Sequence, residues 1–368
     1  MSIRLNDNMQ KPKIHIIARD VFRGDAIGNF VLDLYRFLEK NNIEKTIYSE
    51  NFRDEKNIEI RDITSLPKLV RKIDLIFYNF SIYDPYLSGI LDLSTKKIMY
   101  YHGITPPDLI QKYDPITSEL CEMGLKQLIS ADKFDKIVCN SEFSAKQLLE
   151  NAGNIASDTK IDIYPPIINS VKNFHRFTEN EDKREAKPVL LYVGRIAPHK
   201  RIELLVDLLK EYKQKVPEAV LHLVGKDDNQ EYNKYIKQRI SENDLKIDID
   251  VKFQGFVPGN VLEQEYLNAE FFVTLSAHEG FCVPLFEAMN YNLPILTVID
   301  GAIPETMKYT GYQFHSDQIE EIADYLIELR KNNQLKHKII SLQQKRRIEL
   351  CEESNGKALL EIVAKMLF

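Results

Sequence analysis

The chain has 368 residues, of which 44% are hydrophobic and 28% charged, with a net charge of −6 and a mean hydropathy of −0.31. That length accommodates two or three domains with sizeable cores, and the acidic balance leaves no basic footprint for nucleic acid. No apolar run approaches the roughly 20 residues of a membrane helix, and no basic amphipathic stretch argues for membrane binding.

Met1 to Lys13 is polar and lacks the apolar segment of a signal peptide. Lys13 to Ala18 reads as a first strand, and a loop through Gly24 and Gly28 leads into an amphipathic helix, Asn29 to Glu39. Further strands are expected at Thr46–Tyr48, Asp74–Tyr78, Lys97–Tyr101, Lys136–Cys139 and Lys160–Tyr164. Helices fill the gaps, one of them starting after Ser141 as an N-cap. Pro165-Pro166 and the charged stretch Thr178 to Lys187 read as a linker. A second series then begins, with strands near Val189–Val193, Val220–Val224, Asp250–Phe253, Phe271–Leu275 and Pro294–Val298. Helices follow near Asp317–Lys331, Gln334–Glu349 and Gly356–Phe368. Strand–helix alternation in two halves implies two doubly wound, Rossmann-like α/β domains facing a cleft. The expected division is 1–170 and 171–351, with a last helix, about 352–368, returning to the first domain.

Cys121, Cys139, Cys282 and Cys351 lie far apart, with neither a C-x-x-C pair nor zinc spacing. Free thiols of a reducing cytoplasm are the simplest reading. Gly24-Asp25-Ala26-Ile27-Gly28 is not a full G-x-G-x-x-G, so the dinucleotide fingerprint fails and a tight turn would explain both glycines. Asp248-Ile249-Asp250 matches D-x-D, but its alternation with Ile247, Ile249 and Val251 is that of a half-solvated strand. Asp227-Asp228 follows a strand end and reads equally well as a polar loop. No metal site has convincing ligand spacing.

Two motifs carry chemistry. The first follows the strand ending at Val193: Gly194, Arg195, then Lys200 and Arg201, before the helical pattern Ile202, Leu204, Leu205, Leu208, Leu209. A planar fork and a mobile ammonium in a strand-to-helix loop favour an anion such as phosphate, although a solvated basic turn is the commoner fate of such residues. The second runs from Ser276 to Met289, S-A-H-E-G-F-C-V-P-L-F-E-A-M, with Glu279 and Glu287 eight positions apart. Pro284 suits the first turn of a helix, and Leu285, Ala288 and Met289 would bury one face. Glu279 would stand in the loop before that helix, Glu287 on its early turns, and the free N–H groups of the helix start would attract anions or oxygen-rich ligands.

Together G-R-I-A-P-H-K-R and E-G-F-C-V-P-L-F-E-A-M resemble the basic G-R-x(n)-K loop and E-x7-E motif of the retaining GT-B glycosyltransferases of family GT4. Tyr101-His102-Gly103-Ile104-Thr105-Pro106-Pro107, Asn140 to Ser144 and Gly301-Ala302-Ile303-Pro304-Glu305 extend the resemblance over nearly the whole chain. It departs at Cys282, where the family usually has glycine, which reduces room for close backbone approach. The resemblance implies a metal-independent transfer with no cofactor. The first domain would hold a glycan or lipid-linked saccharide acceptor, and the second a nucleotide-diphosphate sugar. Arg195 and Lys200 would neutralise the departing pyrophosphate, Glu287 would take the ribose hydroxyls, and Glu279 would stand by the anomeric carbon. His102 would contact the donor sugar. Gly28 would set its backbone against the donor phosphate or the facing domain, and Gly280, Phe281, Cys282 and Val283 would line the donor. The Y-H-G-I-T-P-P block with E-G-F-C-V-P is similar to bacterial polysaccharide mannosyltransferases, so GDP-mannose is the first donor expected. Retaining hydrolases need two close carboxylates, and none stands beside Glu279 in the sequence, so a same-face, ion-pair-like transfer is the expected course.

Two other classes stay open at this level. One is a regulatory nucleotide- or sugar-binding protein of the same fold that has lost turnover; four intact motif residues argue against it. The other is a dinucleotide-dependent dehydrogenase, which the broken glycine fingerprint disfavours. The sequence leaves oligomeric state and peripheral membrane contact undetermined.

Overall fold

The structure is a computed structural model and describes residues 11–153, 161–168 and 188–367. Two parallel sheets organise it. The first has seven strands in the order Ile60–Asp62, Lys45–Ser49, Ile14–Ile17, Leu75–Phe80, Lys96–Tyr101, Lys136–Cys139, Ile161–Ile163. The second has six, in the order Val251–Gly255, Val220–Val224, Val189–Val193, Phe271–Thr274, Ile295–Val298, Gln313–Phe314. Numbered within each sheet, both run third, second, first, fourth, fifth, sixth, and the first sheet adds a seventh at its end. The winding direction switches between the first and fourth strands, and the loops leaving their carboxyl ends part to make a crevice. Parallel strands covered on both faces need continuous apolar runs. Ile14–Ile17, Leu75–Phe80, Phe271–Thr274 and Ile295–Val298 are accordingly buried along their whole length.

Local signals explain where the helices begin. Asp25 caps the helix Ala26–Lys40, its carboxylate accepting from the amides of Ile27 and Gly28, both at 3.1 Å. This cap, a contribution of about 1 kcal/mol, starts the helix ahead of the expected Asn29. Ser141 caps the helix Glu142–Asn151 as expected, its hydroxyl accepting from the Ser144 amide at 3.1 Å.

Two edge strands, Ile60–Asp62 and Gln313–Phe314, escape a reading based on apolar runs because they are short and half-solvated. The D-x-D segment differs from its expected conformation. It forms a turn, with Asp248 at φ 66°, and the strand begins only at Val251. Asp250 there takes the Lys213 ammonium at 2.8 Å and the Lys246 amide at 2.8 Å. The linker expected at Thr178 to Lys187 lies outside the described residues.

One core fills the second sheet and its helices, and two others cover the faces of the first. The last helix, Lys357–Leu367, returns to the first sheet: Leu359 and Val363 share a core with Ile14, Phe30 and Tyr100. Gly356 N–H donates to the Tyr164 hydroxyl at 2.7 Å, and Lys96 Nζ to the Met366 carbonyl at 2.8 Å.

Among the described residues the halves meet at several places around the crevice. Gly24 lies against the ring of Phe256. Tyr113 packs on Tyr232 and Tyr235, with ring centroids 5.2 and 5.4 Å away. The Glu305 carboxylate accepts from the amides of Glu142 at 2.7 Å and Phe143 at 2.6 Å, so the second half supplies an anion to a helix N-terminus of the first. Arg346, buried at 2% exposure, donates to the carbonyls of Thr306 at 2.9 Å and Glu305 at 3.2 Å and holds that helix in place.

Candidate active site

Both motifs of the second half lie at its switch point. Arg195 and Lys200 leave the first strand and Glu279 leaves the fourth, its immediate neighbour. A backbone hydrogen bond from the Ala277 amide to the His199 carbonyl, 2.8 Å, ties the two loops together. Lys200 Nζ then reaches Glu279 Oε1 at 2.7 Å, with both side chains mostly buried. A second ion pair lies alongside, Arg201 Nη1 to Asp300 Oδ2 at 2.6 Å, reaching the loop after the fifth strand. The Ala302 amide donates to the Glu279 carbonyl at 2.9 Å, so three loops fix this carboxylate.

Arg195 differs from its neighbours. It is exposed, and among the described residues its guanidinium has no hydrogen bond or ion pair. Its charge is felt across the crevice by the Cys121 thiol, although burial dominates there and pushes that thiol up to about 11. An unpaired guanidinium beside a paired ammonium is suited to an anion not yet bound.

The helix Val283–Asn290 begins as its sequence suggests, with Pro284 in the first turn and Leu285, Ala288 and Met289 buried. Among the described residues no side chain caps it; Pro284 has no N–H and the Leu285 amide donates to the Cys282 carbonyl at 3.1 Å, which leaves the Val283 amide at its start for a ligand. Glu287 is half-buried on this helix, and its Oε2 accepts from the Tyr266 hydroxyl at 2.8 Å. Burial pushes its carboxyl up, opposed by that hydrogen bond. Phe281 and Cys282 point into the core, and the Phe281 carbonyl is taken by the Thr306 hydroxyl at 2.6 Å. Val283 is half-buried at the start of the helix. Cys282 adopts φ 69°, ψ 70°, the left-handed region that favours the glycine it replaces in the resemblance.

Gly280 touches the opposite half. A Cβ built there would meet the His102 carbonyl at 2.3 Å and Asn140 Nδ2 at 2.7 Å, so only glycine allows this approach. Gly28 stands in the first turn of the helix Ala26–Lys40. Its backbone is packed on Phe22 of its own loop and its amide is spent on Asp25; Gly24 is the glycine that meets the facing half.

On the first-half side, His102 follows the strand Lys96–Tyr101 and lies beside Phe30 and Tyr100. Desolvation lowers its pKa to about 3. Asn140 Nδ2 donates to its carbonyl at 3.0 Å. His278, next to Glu279, sits under Phe143 of the first half, with centroids 5.5 Å apart. Burial, helped by the Lys200 charge, lowers its pKa to about 4, and its Nε2 is buried without a partner. Asn79 gave no sequence signal as a single polar residue, and Asn140 and His278 stand in quoted motifs without a role assigned to them. Glu305 stands in a quoted motif, yet its reach to the opposite helix depends on the domain arrangement. Asp227 and Asp228 lie in an exposed loop.

Known proteins agree with this geometry. Residues 173–346 match the family Glycosyl transferases group 1. Mannosylfructose-phosphate synthase of Agrobacterium fabrum is 30% identical over 136 residues, covering 36% of this chain and 30% of that protein. Poly(ribitol-phosphate) alpha-N-acetylglucosaminyltransferase of Staphylococcus aureus is 21% identical, covering 90% of this chain and 69% of its own length. Three of the curated relatives are matched over only 26%, 30% and 46% of their length. The Anabaena protein HepE, solved with UDP-glucose, superposes with a TM-score of 0.74 at 17% identity, covering 96% of this chain and 99% of that one. The chain therefore has the two-domain GT-B fold, and its second half is similar to the glycosyl transferases group 1 family.

Proposed function

We propose that this chain is a retaining, metal-independent glycosyltransferase moving a hexose from a nucleotide-diphosphate sugar to a glycan or lipid-linked saccharide. The observation that carries the reading is the Lys200–Glu279 pair at 2.7 Å, set at the switch point beside the unpaired Arg195. The donor lies along the second half, residues 171–351, with the acceptor on the first, residues 1–170.

Arg195 and Lys200 meet the pyrophosphate, and the uncapped start of Val283–Asn290 adds the Val283 amide. Charge grows on the leaving phosphate as the glycosidic bond breaks, and preorganised cations stabilise that stage most. Glu279 offsets the positive charge at the anomeric carbon. A carboxylate already held by an ammonium is a weak nucleophile and a good electrostatic stabiliser, which favours same-face departure and attack. Glu287, held by Tyr266, accepts from the ribose hydroxyls.

The cations do what a divalent metal would otherwise do, so turnover is expected to survive EDTA. Loss in EDTA with recovery in Mg²⁺ or Mn²⁺ would contradict this. GDP-mannose is the first donor to test, because the motif blocks resemble mannosyltransferases. UDP-glucose and UDP-N-acetylglucosamine follow, since HepE was solved with the one and the Staphylococcus aureus relative is named for transferring N-acetylglucosamine. A thermal-shift panel of nucleotide sugars, followed by donor consumption with candidate acceptors, tests the reading. No stabilisation by any nucleotide sugar would refute it, and binding without consumption would favour a regulatory protein. An inverted anomeric product by NMR would remove retention and the role of Glu279 with it.

A further inference from the structure

His102 Nε2 stands 3.1 Å from Asn79 Oδ1. The Asn79 amide can be oriented in one way only. Its Nδ2 donates to the Ile17 carbonyl at 3.0 Å, and a flip would set two oxygens against each other. The amide oxygen therefore faces the ring, and the ring nitrogen opposite carries a hydrogen. Asn79 is itself buried at 5% exposure, in the fourth strand of the first sheet, paired with Tyr100 two residues before the histidine. The edge contact with Phe30, at 5.1 Å between centroids, and Tyr100, at 4.8 Å, hold the ring plane.

The imidazole is neutral, because burial lowers its pKa to about 3. It has one proton, and that proton is on Nε2. Nδ1 is left as a lone pair. Among the described residues Nδ1 has no hydrogen-bond partner, and His102 is half-buried at the crevice rather than fully enclosed.

We propose that Asn79 is a positioning residue that fixes His102 as the Nε2–H tautomer, so that Nδ1 meets the substrate as an acceptor and selects a sugar hydroxyl over a carboxylate or ether oxygen. Which ring nitrogen is protonated is decided by the bond the other makes, and an acceptor-only nitrogen repels a second lone pair. The substrate named here rests on the glycosyl-transfer reading, whereas the tautomer does not.

The test uses the full chain labelled with ¹⁵N-histidine and free of ligand, the His102 signals being assigned by their loss in His102→Gln. At neutral pH the ring is expected to show protonated Nε2 and bare Nδ1. Asn79→Leu, which cannot accept, is expected to give a tautomer mixture and roughly tenfold lower kcat/KM, with free-nucleotide affinity unchanged. A protonated Nδ1 in the wild type overturns the proposal, and that spectrum decides even if Asn79→Leu fails to fold. So does an Asn79→Leu protein with wild-type tautomer or wild-type kcat/KM. If no nucleotide sugar is consumed by the wild type, the substrate and the reading beneath it fail together, and the spectrum still separates that failure from a wrong tautomer.

Discussion

The two walls of the crevice stand on sheets that share the order of their first six strands, and they present opposite chemistry. On the second-half wall the strand ends carry charges: the Lys200–Glu279 and Arg201–Asp300 pairs, the unpaired Arg195, and Glu287. On the first-half wall the corresponding positions carry His102, Asn79 and Asn140, uncharged and linked through amides. The same scaffold thus carries a charged wall and a neutral one. Strand order sets where a ligand lies; the loop residues set what it is.

The comparison is most easily broken on the charged wall. Glu279→Ala and Lys200→Ala are each expected to lower kcat by about 10²–10³-fold, the scale of a lost transition-state electrostatic partner. In Glu279→Ala donor affinity should change far less than kcat. Steady-state kinetics with calorimetric donor binding check this, and equal losses in both quantities would remove the special role of Glu279 in the transition state.

Next in size is Arg195→Ala, expected to weaken nucleoside diphosphate binding by roughly 1.5–3 kcal/mol, as for a charge-assisted hydrogen bond. Among the described residues its guanidinium has no partner, so the melting temperature of the free protein should hold. Glu287→Ala should weaken donor and free nucleotide alike. Calorimetry with UDP and GDP reads both variants, and unchanged affinity for whichever nucleotide binds would exclude these contacts.

Two buried histidines, one on each wall, give the crevice a pH signature. His102 and His278 are held near pKa 3 and 4, below the usual value of about 6.5. Between those values the unfolded chain binds protons that the native state refuses. Stability is therefore full above about pH 6.5 and falls as pH drops below it, by about 1.4 kcal/mol per pH unit for each histidine. Denaturant melts from pH 7 to 5 measure the slope, and His278→Asn should flatten it by one proton's share. An unchanged slope would mean that His278 titrates normally.

The smallest effect is at Cys282. Its left-handed backbone disfavours any Cβ, so Cys282→Gly should be more stable than Cys282→Ala by about 1 kcal/mol. The alanine variant is the reference because it also lacks the thiol. The reverse order in thermal melts would mean that Cβ packing outweighs the backbone strain.

Much of this protein was determined by its sequence alone. Strands such as Val189–Val193 and Lys136–Cys139 match their apolar runs end to end, because a strand buried on both faces admits little else. The Ser141 cap and the Pro284 helix start were legible because both act within a few residues of chain. The pairing of the two motifs followed from strand order, which alternation implies. Contacts across the crevice were decided only by the tertiary structure. That Asn79 orients His102, that Gly24 rather than Gly28 meets the other half, and that Glu305 caps a helix 162 residues away depend on how two separately wound sheets face each other. The D-x-D turn belongs to the same class: its alternating residues suit a strand, but the Lys213 and Lys246 partners of Asp250 hold a turn instead. Local pattern specifies a backbone because its energies are local, whereas a lone Asn or His acquires a role only from the neighbours that folding brings to it.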